Sequence, residues 1–323
     1  MTLPAGASVR VRVPATSANL GPAFDCAGLA LTRYDLLDFA VLPSGLEVDI
    51  TGVGAGELPS DESHLVVRAF RAACAELGWT PPGLRLVAEN AIPQGRGMGS
   101  SAAAVVAGVF GAWALCPDVE AIDLDAVLRL VTELEGHPDN VAPCLLGGAT
   151  LSWTEPAGAR AVRLEVAPEI LPVVLVPEAT LSTHVARGLL PELVRHDDAA
   201  FNAARTGLLV HALTAEPCML LTATDDRLHQ RQREAAMPAT IALVDTLRAA
   251  GHPAVVSGAG PSVLVLTQRG LEDPSPDPAA TPHVREVAAL VPPGWVLLPL
   301  EVDLSGARVM HEMPRTKSEV SSA

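Results

Sequence analysis

The run Pro93-Gln94-Gly95-Arg96-Gly97-Met98-Gly99-Ser100-Ser101-Ala102-Ala103 sets glycines at alternate positions ahead of a serine pair and an alanine-rich continuation. Glycine lets backbone approach a ligand closely. A glycine-rich turn that opens a helix also presents free N–H groups and the positive end of the helix dipole. Such a segment is a cradle for phosphate; its plainer reading is a flexible loop ahead of a core helix. It has no lysine, which separates it from the P-loop built on Gly-Lys-Ser/Thr.

Three further segments carry polar side chains in places that suit chemistry. Pro14–Gly28 leaves a strand, so Thr16, Ser17, Asn19 and Asp25 fall on an irregular stretch at a strand end, where sites tend to lie. Asn19 and Asp25 form an acceptor set for an ammonium or hydroxyl group, or they merely shape turns beside Pro and Gly. In Glu133–Pro143 the carboxylate of Glu133 lies near a helix C-terminus, which is unfavourable unless a cation pairs with it. A magnesium ion held with a serine hydroxyl and phosphate oxygens would qualify. His137, Asp139 and Asn140 follow as substrate ligands or as caps of the next short helix. Val256–Ser262 reads as a glycine turn between two strands. Thr183 and Arg187 share a helix face one turn apart, and Arg233 precedes Met237-Pro238. Two arginines can clamp a carboxylate through paired hydrogen bonds, although a single arginine on an acidic protein is usually a surface ion pair.

The elements that must position these residues alternate between strands and helices. Val9, Val11 and Val13 alternate with Arg10 and Arg12 as a half-buried strand ending at Pro14, and residues 30–51 read as further strands broken at Pro43-Ser44-Gly45. Ser60 caps a helix over 61–77. A strand over 84–92 feeds the glycine loop, and helices are expected at 100–115 and 124–135, the second stopped by Gly136. Strands at 149–154 and 160–166 pair. The second half restarts with a buried strand at 171–176, then helices near 183–190, 197–214 and 238–250. Strands at 253–257 and 262–267, a helix at 282–290 and a strand at 295–302 follow. Residues 270–282, with four prolines, read as a surface loop.

The bulk composition narrows the function classes. The 323 residues are 49% hydrophobic and 18% charged, a soluble globular balance sized for two packed units. A formal net charge of −15 disfavours nucleic acid and anionic membrane surfaces as partners. Lys317 is the sole lysine, so cationic contacts to a ligand fall to arginine, whose planar fork suits carboxylates and phosphates. The five cysteines are scattered without a CxxC pair, which fits reduced thiols and no zinc site. The uncharged run Gly97–Pro117 has an apolar part of only about 14 residues, the length of a buried core helix. With no signal-like N-terminus, the expected location is the cytoplasm.

Together these segments resemble the GHMP kinases. The loop 93–103 is similar to their ATP-binding signature, with Met98 where leucine is usual, and Ser257–Ser262 is similar to their C-terminal glycine motif. Pro14–Gly28, Glu135-Gly136-His137-Pro138-Asp139-Asn140 through Pro143 with Gly147-Gly148, Ser182-Thr183…Arg187 and Asp226…Arg233…Pro238 resemble the homoserine kinases among them. The resemblance spans about residues 8 to 303 in the family's order. It implies an α+β fold in two parts: a ribosomal protein S5 domain 2-like unit over 1–160 and a ferredoxin-like unit over 161–313, with a frayed tail over 314–323. ATP phosphates would rest on the loop 93–103, and Mg²⁺ on Ser100 or Ser101 with Glu133. L-homoserine would meet Asn19, Asp25, His137, Asn140, Arg187 and Arg233. Asn140, Asp139 and Thr183 would surround the reacting hydroxyl.

Asn140 stands where many relatives carry an aspartate base, so direct attack by the hydroxyl is expected, with Asp139 as a general base the competing idea. The resemblance also suggests a homodimer. The alternatives are a mevalonate-type or sugar kinase, whose acceptors have no ammonium group for Asp25, and a non-catalytic binding protein of the same fold.

Overall fold

The computed structural model describes residues 7–269 and 277–310. The tail from Pro314, Lys317 and most of the loop expected at 270–282 lie outside the described residues.

The first half builds a seven-stranded sheet from β1 (Ser8–Ala18), β2 (Ala27–Leu42), β3 (Gly45–Gly52), β4 (Gly83–Asn90), β5 (Ala149–Glu155), β6 (Gly158–Leu164) and β11 (Arg308–Met310). Its main path is β11-β1-β2-β4-β3, and β5 and β6 continue from the start of β2. β1 does not stop at Pro14: it runs to Ala18 with a register shift between Pro14 and Ala15. β11 pairs with β1 only at Arg10–Arg12, so beyond that point one side of β1 is free of ladder partners and a proline is tolerated. The extension matters, because it carries Thr16 and Ser17 into the site.

Helices α1 (Leu65–Glu76), α2 (Ser100–Leu115), α3 (Leu124–Glu135) and α4 (Pro138–Leu146) cover this sheet. Twelve of the sixteen residues of α2 are buried, because α1, α3, α4 and β1 all pack on it. That explains its all-round apolar sequence; among the described residues no helix is long and apolar enough to cross a membrane. α1 begins four residues later than the Ser60 cap implies. Asp61 binds the backbone and hydroxyl of Ser63 in a local turn, and His64 is the cap, its Nδ1 accepting from Val66 N–H at 3.3 Å.

The second half is a four-stranded antiparallel sheet of β7 (Ile170–Pro177), β8 (Ala254–Val256), β9 (Val263–Gln268) and β10 (Trp295–Pro299), in the order β10-β7-β9-β8. With its strands taken fourth, first, third, second, this is the ferredoxin-like arrangement. Helices α5 (Thr183–Gly188), α6 (His196–Thr214), α7 (Leu220–Ala223), α8 (Pro238–Ala249) and α9 (Pro282–Leu290) accompany it. β7 is buried along its whole length because its two faces serve different cores. Val174 and Val176 join the core shared with the first half, while Leu171, Val173 and Leu175 pack with α8 and α9. The division expected at 160/161 falls inside β6, which pairs with β5 out to Leu164. The chain then returns to the first sheet after β10, through a bridge from Val302 to Leu31 and then β11.

Candidate active site

A cleft of about 450 Å³ lies between the two sheets' loops, and the segments singled out in the sequence converge on it. Pro93, Gln94, Gly95, Gly97, Met98, Gly99, Ser100 and Ser101 line its centre. Protein donors take the carbonyls of this loop. Gly95 O accepts from Leu181 N–H at 2.9 Å and Met98 O from Thr16 N–H at 3.1 Å. Gly97 O accepts from Ser257 Oγ at 2.6 Å.

The first backbone bond of α2 runs from Ala103 N–H to Gly99 O, so the N–H groups of Ser100, Ser101 and Ala102 remain at the open helix end. With carbonyls turned to protein and amides free, the loop is an anion cradle. Glycine is required at two positions for different reasons. A Cβ on Gly97 would stand 2.1 Å from Ser257 O, and one on Gly99 would stand 1.9 Å from Thr16 Oγ1. Both also have φ near +70°, which L side chains rarely adopt.

Three members of the expected cradle do not face the cleft. Arg96 turns away and donates to Pro177 O at 3.0 Å, Glu178 O at 2.7 Å and Gln94 O at 3.2 Å; it staples the loop to the end of β7. Ala102 and Ala103 are fully buried and pack into the core behind the loop.

The acid expected beside the serine pair, Glu133, does not reach it. Glu133 is exposed on the outer face of α3 and does not line the cleft. Glu135 does, and its Oε1 accepts from Ser101 Oγ at 2.6 Å. Residues two apart on a helix point to nearly opposite sides, so only one of these acids can face α2. Glu135 extends the buried stripe of Val127 and Val131 at four-residue spacing, a signal present in the sequence. Burial raises the Glu135 carboxyl above the usual range, only partly opposed by the Ser101 hydrogen bond. A carboxylate in this condition gains from a nearby cation.

At one end of the cleft Asn19, His137, Asp139, Asn140, Thr183, Arg187 and Arg233 do come together, and Asp25 stands behind this lining, joined to Arg187. Asn19 and Asp25 both hold positive φ, 70° and 57°. Asn19 Oδ1 accepts from Asp25 N–H at 2.9 Å and its Nδ2 donates to Gly258 O at 3.0 Å. Arg187 does not stand free: it grips Asp25 through two hydrogen bonds of 2.9 and 2.5 Å. Arg233 is 1% exposed, so it is not the surface ion pair that a single arginine on an acidic protein usually makes. The guanidinium carbons of Arg187 and Arg233 lie 5.5 and 5.6 Å from the Phe24 ring centroid.

His137 Nδ1 and Asp139 Oδ1 are 2.7 Å apart. Burial alone would lower the His137 pKa, but the Asp139 hydrogen bond and charge outweigh it and the net displacement is upward. Asn140 Oδ1 accepts from Thr16 Oγ1 at 2.8 Å.

Residues not singled out in the sequence complete the other end of the cleft. Leu58, His64, Leu65, Val66 and Asn90 form a largely apolar recess beyond the glycine loop. Burial lowers the His64 pKa, so its ring is held neutral. Ser17, expected from the sequence, lies behind this lining: its hydroxyl and that of Ser257 share a hydrogen bond of 2.8 Å, tying the N-terminal strand to the C-terminal glycine turn.

Comparison with known proteins agrees with this geometry. Residues 64–148 match the GHMP kinases N terminal domain and residues 209–283 the GHMP kinases C terminal family. The homoserine kinase of Streptomyces avermitilis is 52% identical over 305 residues, covering 94% of this chain and 96% of that protein. That of Clavibacter michiganensis is 52% identical over 308 residues, covering 95% of each. Among solved structures, the homoserine kinase from Cytophaga hutchinsonii superposes with a TM-score of 0.80 at 24% identity, over 96% of this chain and 99% of that one. The L. major mevalonate kinase superposes with a TM-score of 0.68 at 16% identity, over 95% of this chain and all of the other; these two likenesses speak for the fold. The chain belongs to the homoserine kinases of the GHMP kinase fold.

Proposed function

We propose that the chain transfers the γ-phosphoryl group of ATP to the side-chain hydroxyl of L-homoserine, yielding O-phospho-L-homoserine on the route to threonine. The observation that supports this acceptor is the pairing of Asp25 with Arg187 beside Arg233 at one end of the cleft. A zwitterionic amino acid carries both partners these groups need: an ammonium for Asp25 and Asn19, and a carboxylate for the two arginines. A sugar or mevalonate acceptor has no ammonium to take the place of Arg187 on Asp25.

The phosphates would lie on the N–H groups of Gly97–Ala102, with the nucleoside in the recess by His64 and Asn90. Magnesium fits this site through Ser100 or Ser101 and Glu135, rather than Glu133. An ion held there would take the rest of its ligands from phosphate and water. When bound, it supplies charge neutralisation on the phosphate oxygens.

In the reaction the homoserine hydroxyl oxygen bonds to the γ-phosphorus, the bond to the bridging oxygen of ADP breaks, and the hydroxyl proton leaves with a phosphoryl oxygen or solvent. Each carboxylate at the acceptor end already holds a partner: Asp25 with Arg187, Asp139 with His137 and Glu135 with Ser101. Asn140 cannot take a proton usefully. We therefore assign the rate gain to positioning and charge stabilisation, with Asp139 orienting His137 and Thr183 flanking the acceptor. A coupled ADP-release assay across L-homoserine, mevalonate and sugars tests the assignment.

A further inference from the structure

Arg233 is held by three protein acceptors on Nε and Nη1. Its Nε donates to Ala186 O at 3.3 Å and its Nη1 to Gly258 O at 3.2 Å, and Nη1 also lies 3.1 Å from His229 Nδ1. Among the described residues Nη2 makes no hydrogen bond, and the residue lines the acceptor end of the cleft.

His229 is itself 1% exposed, and its Nε2 lies 2.7 Å from Gly21 O. A guanidinium cannot accept and a carbonyl cannot donate. One tautomer alone satisfies both contacts: the neutral ring with the proton on Nε2 and the lone pair of Nδ1 turned to Arg233. The groups around the ring agree with that form. Asp226 Oδ2 is 3.8 Å from Nε2 but already accepts from the N–H groups of His229 and Gln230, while Oδ1 accepts from Leu228 N–H and Asn202 Nδ2. Phe24 packs against the ring at 5.0 Å between centroids. Burial, the largest influence, lowers the His229 pKa and so favours the neutral ring.

Gly21 belongs to the loop that carries Asn19 and Asp25. One imidazole therefore touches both sides of the acceptor end, the loop that follows β1 and the arginine on the short helix Arg231–Ala236.

We propose that His229 is a positioning residue for acceptor recognition: it pins Nη1 of Arg233 so that the Nη2 edge faces the carboxylate of the acceptor, and fixes the spacing between that edge and the Asn19–Asp25 loop. The inference deepens the homoserine reading and rests on it.

The test compares L-homoserine with 3-aminopropan-1-ol, the same amino alcohol without the carboxylate, in wild type, His229→Gln, His229→Asn, Arg233→Met and the double variant His229→Gln/Arg233→Met. Glutamine keeps a donor for Gly21 O but loses the acceptor at the Nδ1 position, whereas asparagine keeps an acceptor there. His229→Gln should raise the KM for homoserine about tenfold or more, the scale of one hydrogen bond to a charged group. Its kcat, its KM for ATP and its use of 3-aminopropan-1-ol should change little. His229→Asn should recover most of the loss, and in the Arg233→Met background the Gln change should add nothing.

Equal losses on both acceptors, indistinguishable Gln and Asn variants, or an undiminished effect without Arg233 would each overturn the proposal. If wild type fails to phosphorylate homoserine, the acceptor reading itself falls. That outcome is visible before any variant is made, and it takes the proposal with it.

Discussion

Replacing Arg187 by methionine separates its role in the folded protein from its role toward substrate. In the structure its guanidinium is joined to Asp25 at 2.9 and 2.5 Å, with each side chain 35% exposed. A pair so accessible to solvent contributes about 1 kcal/mol or less to stability, so the melting temperature should fall by only a few degrees. With homoserine bound, the same arginine is expected to meet a carboxylate in a narrower, more desolvated space. There a charge-assisted hydrogen bond is worth about 1.5–3 kcal/mol, which is roughly a 10- to 150-fold rise in KM. For 3-aminopropan-1-ol the sign differs, because removing Arg187 frees Asp25 for the ammonium and takes away its competitor. Steady-state ADP release with both acceptors, alongside a thermal melt, measures all three quantities. An unchanged KM for homoserine, or equal losses on the two acceptors, would refute the exchange of Asp25–Arg187 for substrate charges.

Glu135→Gln should weaken magnesium-dependent turnover by about 100-fold or more, whereas Glu133→Gln should behave as wild type; titrating activity against Mg²⁺ in both variants decides between the two acids. Gly97→Val should abolish nucleotide binding in calorimetry while homoserine binding is reduced less, since the new side chain enters the phosphate loop against Ser257; equal loss of both would indicate misfolding instead. His137 has a folded pKa raised above its ordinary value, so its pairing with Asp139 stabilises fully below about pH 6.5 and is lost as pH rises through the folded value. The melting-temperature gap between wild type and His137→Gln should therefore be largest at acid pH and shrink toward neutrality, and a gap that widens with pH would reverse the assignment.

Much of this was legible from residue order. Gly136 ends α3 in the left-handed conformation where the sequence expects a stop, and Gly99 opens α2, because glycine at these points is a local requirement. Both sheets emerged from alternation and apolar runs for the same reason. The errors fall where a distant partner decides. The turn at Asp61–Ser63 and the His64 cap compete with Ser60 as a helix start, and both are capable caps in sequence. β1 passes Pro14 because β11, formed by Arg308–Met310, leaves its edge open there. Asp25 and Arg187 were each identifiable, but not their mutual pairing, which depends on how the two halves dock. Arg96 looked like part of the cradle by adjacency, yet the carbonyls at the end of β7 claim it. Glu133 is the acid expected beside the serine pair, yet helical phase, followed from Val127 through Val131, turns Glu135 to Ser101 instead.

The most direct test of the account is the reaction of wild-type protein with ATP, Mg²⁺ and L-homoserine, followed by phosphorus NMR. The account predicts ADP and O-phospho-L-homoserine formed in equal amounts, with mevalonate and sugars unchanged under the same conditions. ADP formation only with one of those other acceptors, or no phosphorylated homoserine at all, would contradict it.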